Sequence, residues 1–383
     1  MEQHVCGAVS TRRKFLGLVG AGAVTAVAGV GLASRANAAN AAEAAGAAAR
    51  RLSVPRTLAW AGGRGLVQPG FAVDYVGVRW SGAAGGGRVR FGDRSGRLGP
   101  WRRIVPGCGG AVGDGAPRVA GAALISAGHA STYELDLPAG ASAVALNTTS
   151  GPPVAIARGS GDERTSLADG VYLSRTEWGA DESLRFDENG VERYPQTYWP
   201  VQTLTVHHTA TGNDDPDPAA TVRAIYRFQT IDEDFGDIGY HFLIDEAGRV
   251  YEGRYSGDDG IPGFDTAGRM VNAAHIAGFN AGNVGIVLLG NFVDRAPTTE
   301  ARRTLTFLLA AIAGWHQLDP LGTVHYVNPI SGATKTVSAI SGHRDWAPTL
   351  CPGGVLYSML DGIRADVARL LGQGSDRRAR LSA

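Results

Sequence analysis

The chain has 383 residues, of which 44% are hydrophobic and 19% are charged, and its 36 Lys and Arg residues balance its 36 Asp and Glu residues. A chain of this length is expected to form two domains, because a domain with a single hydrophobic core seldom exceeds about 250 residues. A formal charge of zero excludes the strongly basic proteins that bind nucleic acids or acidic lipids. Three cysteines are too few for a disulfide framework at this length.

Residues 1–38 are typical of an export signal. Arg12 and Arg13 precede an apolar run rich in Gly and Ala, and Ala-Asn-Ala at 36–38 fits a cleavage site. Paired arginines in this position are typical of twin-arginine export. The alternative is a retained membrane anchor, since the 18 weakly apolar residues at 16–33 approach a spanning length. Cleavage after Ala38 removes four basic residues and one acidic residue, which gives a soluble, exported chain of formal charge −3 with no membrane association.

Short alternating strands dominate residues 53–153, which follow an Ala-rich leader at 39–52. The clearest period-two runs lie at 71–80, 88–91, 132–137 and 143–146, separated by Gly, Pro and Ser clusters. This pattern predicts a smaller all-β domain of the sandwich or jelly-roll type. The polar residues at 154–172 are predicted to be a linker.

Strands alternate with helices over residues 173–372. The predicted strands lie at 201–208, 238–244, 249–252 and 284–292. Helices are predicted after the capping residue Asp217, after Pro297-Thr298 and after Gly353-Gly354. Apolar strands beside long helices indicate an α/β or α+β domain with a covered sheet. The basic tail at 373–383 is predicted to be disordered.

The strand at 201–208 ends with two adjacent histidines, His207 and His208. Adjacent strand residues point to opposite faces, so only one of them can join a given metal site without a bulge. If the face that carries Leu204 and Val206 is the more buried, His207 faces a cleft. The pattern therefore favours His207 as a metal ligand.

A second stretch, at 341–353, holds His343 and Cys351. Together with His207 they would offer zinc two imidazoles and a thiolate, with a fourth position open for water. The alternatives are unrelated core or surface histidines and a buried apolar thiol. A Cys108–Cys351 disulfide is a further alternative, and it would destroy the zinc site.

Eight sequence blocks follow one another over residues 173–372. They are SRTEWGA (174–180), TVHHTA (205–210), GDIGYHFLID (236–245), YEGR (251–254), AH (274–275), GNF (290–292), GHRD (342–345) and TLCPG (349–353). In this order they resemble the zinc N-acetylmuramoyl-L-alanine amidases of the peptidoglycan recognition protein family. The resemblance covers about half of the chain and implies an α/β fold with a mixed sheet flanked by helices.

The resemblance also implies roles for individual residues. The zinc ligands would be His207, His343 and Cys351, and the catalytic residues Tyr240 and Thr349. Residues that would contact substrate are His208, His275 and Asn280.

The implied activity is that of a secreted, cell-wall-associated hydrolase. It would use zinc-activated water to cleave the amide bond between N-acetylmuramic acid and L-alanine of peptidoglycan. Non-catalytic receptors of the family typically replace the cysteine that stands here as Cys351. The alternative function is a non-catalytic peptidoglycan-binding receptor or adhesin.

Overall fold

The computed structural model describes most of the chain beyond the predicted leader. The described residues are 52–81, 85–93, 95–107, 121–156, 166–167, 170–258 and 261–381. The predicted export signal, its alternative as a membrane anchor, and Cys108 lie outside these residues. In the described part of the chain, no helix is both long and apolar enough to cross a bilayer.

The N-terminal part is built from β-strands. Its strands are β1 (Leu52–Pro55), β2 (Leu58–Gly62), β3 (Gly65–Val67), β4 (Val73–Trp80), β5 (Arg88–Gly92), β6 (Arg102–Arg103), β7 (Gly121–Ala130), β8 (Thr132–Asp136), β9 (Ser142–Asn147) and β10 (Pro153–Ile156). They form two four-stranded antiparallel sheets, β2-β9-β4-β7 and β3-β8-β5-β6, and a β1-β10 pair. One cluster of buried side chains, which includes Val76, Val89 and Tyr133, draws on both sheets, as in a β-sandwich.

Strand β7 is a feature that the sequence does not predict. With ten residues it is longer than any other strand described in this part. Its sequence, GAALISAGHA, is rich in Ala and Gly, which are depleted in strands and give little alternation. Antiparallel pairing along β4, from Val73 with Ala130 to Trp80 with Gly121, holds it in the sheet.

The C-terminal part contains a central sheet of seven strands and two small ribbons. Its strands are β11 (Ser166–Leu167), β12 (Gly170–Leu173), β13 (Tyr198–Trp199), β14 (Thr203–His208), β15 (Phe242–Ile244), β16 (Val250–Glu252), β17 (Met270–Val271), β18 (Asn283–Leu288), β19 (Thr323–Val327), β20 (Thr334–Ser338) and β21 (Ile340–Gly342). The central sheet has the order β11-β12-β16-β15-β18-β14-β21. It is mixed, because β15, β18, β14 and β21 run parallel whereas β15 and β16 are antiparallel.

Helices cover both faces of this sheet. They are α1 (Arg175–Trp178), α2 (Pro218–Arg227, followed by a π-helical turn at Phe228–Asp232), α3 (Thr299–Trp315), α4 (Gly354–Ser358) and α5 (Leu360–Leu381), with short 3₁₀ turns at Glu182–Arg185 and His343–Asp345. Leu204 and Val206 share a buried cluster with residues of α3 and α5. Leu243 and Val287 share another with residues of α2. The predicted α/β class, with a mixed sheet flanked by helices, is confirmed.

Two predicted helix starts are confirmed by their caps. The side chain of Asp217 accepts a hydrogen bond from Ala220 N at 3.0 Å, and Thr298 Oγ1 accepts one from Ala301 N at 3.1 Å. The prediction of one helix after Gly353-Gly354 is wrong, because α4 and α5 are separate. Met359 N bonds to Leu356 O, three residues back, and this tighter turn interrupts the helix.

Two predicted irregular segments contain regular structure. Helix α5 extends through Leu381 and so covers most of the tail at 373–383, where Arg, Ala and Leu are good helix formers. At the two ends of the predicted linker, β10 pairs with β1 and β12 pairs in parallel with β16. The ends of the linker therefore belong to the sheets, and the predicted domain boundaries stay a prediction.

The β2-β9-β4-β7 sheet packs against α2. Tyr75, Leu124 and Leu146 from this sheet belong to the same buried cluster as Val222 and Ile225 of the helix. The guanidinium group of Arg223 donates hydrogen bonds to the carbonyl oxygens of Thr148 and Trp178, at 3.0–3.3 Å. The N-terminal strands and the central sheet thus share one apolar contact region.

Candidate metal centre

His207, His343 and Cys351 form one compact cluster of potential metal ligands. One ligand atom from each residue lies within 4.8 Å of the others. The two imidazole ring centroids are 4.7 Å apart, and Cys351 Sγ is 3.6 Å from His207 Nδ1. All three side chains are buried. The structure therefore brings together the three residues that the sequence predicts as ligands.

Parallel pairing of β14 and β21 brings the two histidines together. Leu204 pairs with Ile340 and Val206 with Gly342, so His343, one residue after β21, lies beside His207 near the end of β14. Leu204 and Val206 pack under α3 and α5, while His207 points to the opposite face of the sheet. This is the arrangement that the alternation of residues 201–208 predicts.

Backbone contacts fix the loop that carries Cys351. Arg344 N donates a hydrogen bond to Cys351 O at 3.0 Å, and the Arg344 side chain donates to the same oxygen and to Leu350 O. Gly353 has φ +99°, and a Cβ atom there would lie 2.2 Å from the carbonyl carbon of Phe292. Only glycine fits this close approach.

The polar atoms of the cluster suit a zinc ion. His343 Nδ1 is buried and has no hydrogen-bond partner among the described residues, and His208 N donates to Cys351 Sγ at 3.4 Å, which favours the thiolate. Zinc bonds of about 2.0–2.1 Å to nitrogen and 2.3 Å to sulfur at a tetrahedral angle place N and S about 3.6 Å apart. The observed separation of Cys351 Sγ and His207 Nδ1 is 3.6 Å. The three residues therefore fit a zinc ion.

Tyr240 and Thr349, the predicted catalytic residues, both adjoin the cluster. The Tyr240 ring lies 5.4 Å, centroid to centroid, from the ring of His207. Thr349 is half-buried, and its Oγ1 accepts a hydrogen bond from Cys351 N at 3.2 Å. Its hydroxyl hydrogen is thus left to point to another acceptor.

The predicted substrate contacts of His208, His275 and Asn280 have no support in this geometry and stay a prediction. All three side chains are at least 98% buried. His208 Nδ1 accepts from Phe292 N at 3.2 Å, and Asn280 Oδ1 accepts from the backbone N–H groups of His275 and Ile276. These are internal contacts that hold loops in place.

His275 lies behind His207 and is bonded to it. Its Nδ1 is 2.9 Å from His207 Nε2, and its Nε2 is 2.8 Å from Asn283 O. Burial lowers the pKa of His275 well below its usual range, and the nearby imidazoles of His207 and His241 act in the same direction. His275 is therefore neutral at pH 7.

Two further sequence features near the site concern Cys351 and Asp345. The alternative Cys108–Cys351 disulfide stays a prediction, because Cys108 lies outside the described residues. Asp345, which carries a carboxylate next to the ligand motif, bonds to Gly342 N at 2.8 Å and to the hydroxyl of Tyr357. These two bonds hold the turn after β21.

A small cavity of about 30 Å³ lies between the N-terminal strands and the metal-site region. Its lining includes Ala122 and Leu124 of β7 on one side, and Tyr240, Gln229 and Glu233 on the other. Glu233 is 5% exposed and follows the π-helical turn. No motif in the sequence marks this carboxylate, because only the packing of β7 on α2 creates the cavity.

Comparisons with known proteins agree with this geometry. The sequence model of a family described as N-acetylmuramoyl-L-alanine amidase matches residues 197–354. An N-acetylmuramoyl-L-alanine amidase of Homo sapiens is 30% identical over 165 residues, which are 42% of this chain and only 24% of the human protein. Peptidoglycan recognition protein 1 of Bos indicus is 32% identical over 194 residues, which are 50% of this chain and 83% of the bovine protein.

A solved structure, that of Drosophila peptidoglycan recognition protein SD, is 27% identical with a TM-score of 0.36, and the match covers 50% of this chain and 94% of that one. The assignment to a family rests on the sequence matches, because this chain covers 83% of the bovine relative at 32% identity. The chain therefore belongs to the family of peptidoglycan recognition proteins and N-acetylmuramoyl-L-alanine amidases.

Proposed function

We propose that this chain is a secreted, zinc-dependent hydrolase that cleaves the amide bond between N-acetylmuramic acid and L-alanine of peptidoglycan. The observation that carries the proposal is the cluster of His207, His343 and Cys351, whose ligand atoms lie within 4.8 Å of one another. Two imidazoles and a thiolate leave a fourth zinc position open, which is typical of catalytic rather than structural sites. The name of the human relative, an N-acetylmuramoyl-L-alanine amidase, supports the reaction.

His207, His343 and Cys351 would hold the ion. When bound, zinc supplies an activated water at neutral pH and a Lewis acid for the substrate carbonyl. The backbone N–H of His208 stabilises the negative charge on Cys351 Sγ. The burial of all three ligands keeps competing water away from their lone pairs.

Tyr240 and Thr349 would act on the substrate carbonyl. We assign to the Tyr240 hydroxyl a hydrogen bond to the carbonyl oxygen as it gains negative charge, because its ring packs against His207. Thr349 is half-buried and tied to the backbone of Cys351, so its hydroxyl is placed to orient the scissile amide.

The leaving amine needs a proton. Glu233 is the carboxylate that lines the cavity beside Tyr240, and we assign it as the proton donor. This role requires the carboxyl group to carry a proton before bond cleavage and to regain it from solvent afterwards.

The alternative, a non-catalytic receptor or adhesin, has less support. A receptor has no need of the thiolate at Cys351 or of the unpaired His343 Nδ1. For an adhesin, Trp80 and Trp101 are two aromatic residues of the β-sandwich that the sequence offers for sugar stacking. Trp80 is only 3% exposed, however, and the guanidinium groups of Arg88 and Arg90 lie 4.6 Å from the Trp101 ring centroid.

The test compares the chain from Ala39 onwards with its Cys351→Ser variant. We expect one zinc per chain in the parent and release of stem peptide from purified cell wall without new reducing sugar, with both lost in the variant. A parent that binds cell wall without zinc and releases no peptide would move the protein to the receptor class.

A further inference from the structure

A line of hydrogen bonds runs from the backbone of β18 to the candidate zinc ligand His207. Asn283 O lies 2.8 Å from His275 Nε2, and His275 Nδ1 lies 2.9 Å from His207 Nε2. The two rings meet edge to face, with centroids 5.0 Å apart. All of these groups are buried.

Chemistry fixes the direction of each bond in the line. A carbonyl oxygen only accepts, so His275 Nε2 carries the hydrogen that it donates to Asn283 O. A metal held beside Cys351 would take the lone pair of His207 Nδ1, so the ring hydrogen of His207 lies on Nε2 and is donated to His275 Nδ1. His207 is left with a bare Nδ1, the atom that lies 3.6 Å from Cys351 Sγ.

We infer that His275 is a positioning residue that holds His207 in the Nε2–H tautomer and turns its Nδ1 lone pair toward the metal position. Metal-bound histidines usually donate the hydrogen of their second nitrogen to a carboxylate, a carbonyl or water, and here the imidazole of His275 takes that place. This inference rests on the proposed zinc centre. It gives His275 an internal role in place of a substrate contact.

Two neighbours hold the His275 ring in its position. Asn280 Oδ1 accepts from His275 N at 2.9 Å and fixes the backbone. Gly285 of β18 leaves space for the ring, because a Cβ atom there would lie 2.6–2.8 Å from three atoms of the imidazole. The strand that supplies the carbonyl acceptor thus also supplies the gap that the ring occupies.

The experiment measures zinc affinity by chelator competition in purified parent, His275→Leu and His275→Asn proteins. Loss of the acceptor should weaken zinc binding about 10- to 100-fold in H275L. Asn places an oxygen acceptor near the position of Nδ1, so H275N should bind zinc more tightly than H275L. His316→Leu, which removes a half-buried imidazole elsewhere, is the control for general destabilisation and should bind zinc like the parent.

A second readout does not depend on any substitution. Long-range ¹H–¹⁵N correlation spectra of the metal-free parent report which nitrogen of each imidazole carries the hydrogen. We expect His207 and His275 in the Nε2–H form. The positioning role of His275 is overturned if His207 is in the Nδ1–H form, or if H275L binds zinc as tightly as the parent. A parent that binds no zinc overturns the proposed zinc centre as well.

Discussion

Replacing Gly285 with alanine tests the hydrogen-bond line from His207 without changing any atom of the line. The added Cβ would lie 2.6 Å from Cγ, 2.7 Å from Nδ1 and 2.8 Å from Cδ2 of His275. Ordinary contacts begin at 3.4 Å, so the ring must move by about 0.6–0.8 Å. A shift of this size is enough to break the 2.9 Å bond to His207 or bring it to the limit of hydrogen-bond range.

The expected effects are a modest loss of stability and a larger loss of zinc affinity. Overpacking a buried site costs about 1–3 kcal/mol in the free energy of unfolding. Loss of the partner of a metal ligand lowers metal affinity about 10-fold or more. Backbone strain is not expected, because Gly285 has no positive φ.

The assay pairs urea unfolding with zinc titration for Gly285→Ala and for a control, Gly70→Ala. Gly70 has no atom within 4 Å of the position of an added Cβ, so the control should match the parent in both measurements. A folded G285A protein that binds zinc with the affinity of the parent would refute the reasoning, since it would show that the His275 ring can move without consequence for His207.

Three further predictions concern catalysis and pH. Tyr240→Phe should lower kcat for release of stem peptide about 100-fold or more, because the hydrogen bond to the developing oxyanion is lost. Zinc content should stay at that of the parent. An unchanged kcat would remove Tyr240 from the mechanism. Glu233→Gln should lower kcat by a similar factor and abolish the limb of the pH–rate profile that reports the acid, again with zinc retained. Burial lowers the pKa of His316 to about 4, below the value of about 6.5 in the unfolded chain, so the unfolded chain takes up a proton first and stability falls as the pH drops from about 6.5 to 4. His316→Phe removes the titrating group and therefore this loss of stability. After allowance for the partial exposure of His316, the free energy of unfolding of the variant relative to the parent, measured by urea unfolding, should rise by on the order of 1–2 kcal/mol between pH 7 and pH 4.5. A difference between variant and parent that does not change with pH would contradict the lowered pKa of His316.

Local patterns in the sequence single out the candidate metal ligands, and the family resemblance combines them into one set. Period-two alternation separates His207 from His208, and a run of turn-forming residues isolates His343 and Cys351 after the last strand. The caps of α2 and α3 follow from Asp217 and from Thr298 in the same way. Each of these features depends on residues that are close in the chain.

The roles proposed for His275 and Glu233 could not be predicted, because they depend on contacts between distant segments. His275 meets His207 across 68 positions, and only the pairing of β14 with β18 brings them within 2.9 Å. Glu233 shares a cavity with Tyr240 because β7 packs there. The Ala- and Gly-rich sequence of β7 carries little strand signal, so neither the strand nor the cavity could be foreseen.

The cost of the buried ligand cluster bears on the choice between hydrolase and receptor. An unpaired buried polar atom costs about 1–3 kcal/mol, and His343 Nδ1 is such an atom among the described residues. Packing a second imidazole and a thiol beside it adds polar groups to the apolar cluster around Val287. A bound zinc ion offsets this cost by RT ln(1 + [Zn]/Kd), whereas a receptor without metal would carry it with no return in stability or activity. The arrangement of His207, His343 and Cys351 is therefore the one expected of a chain that folds around a metal ion, which supports the proposed zinc centre.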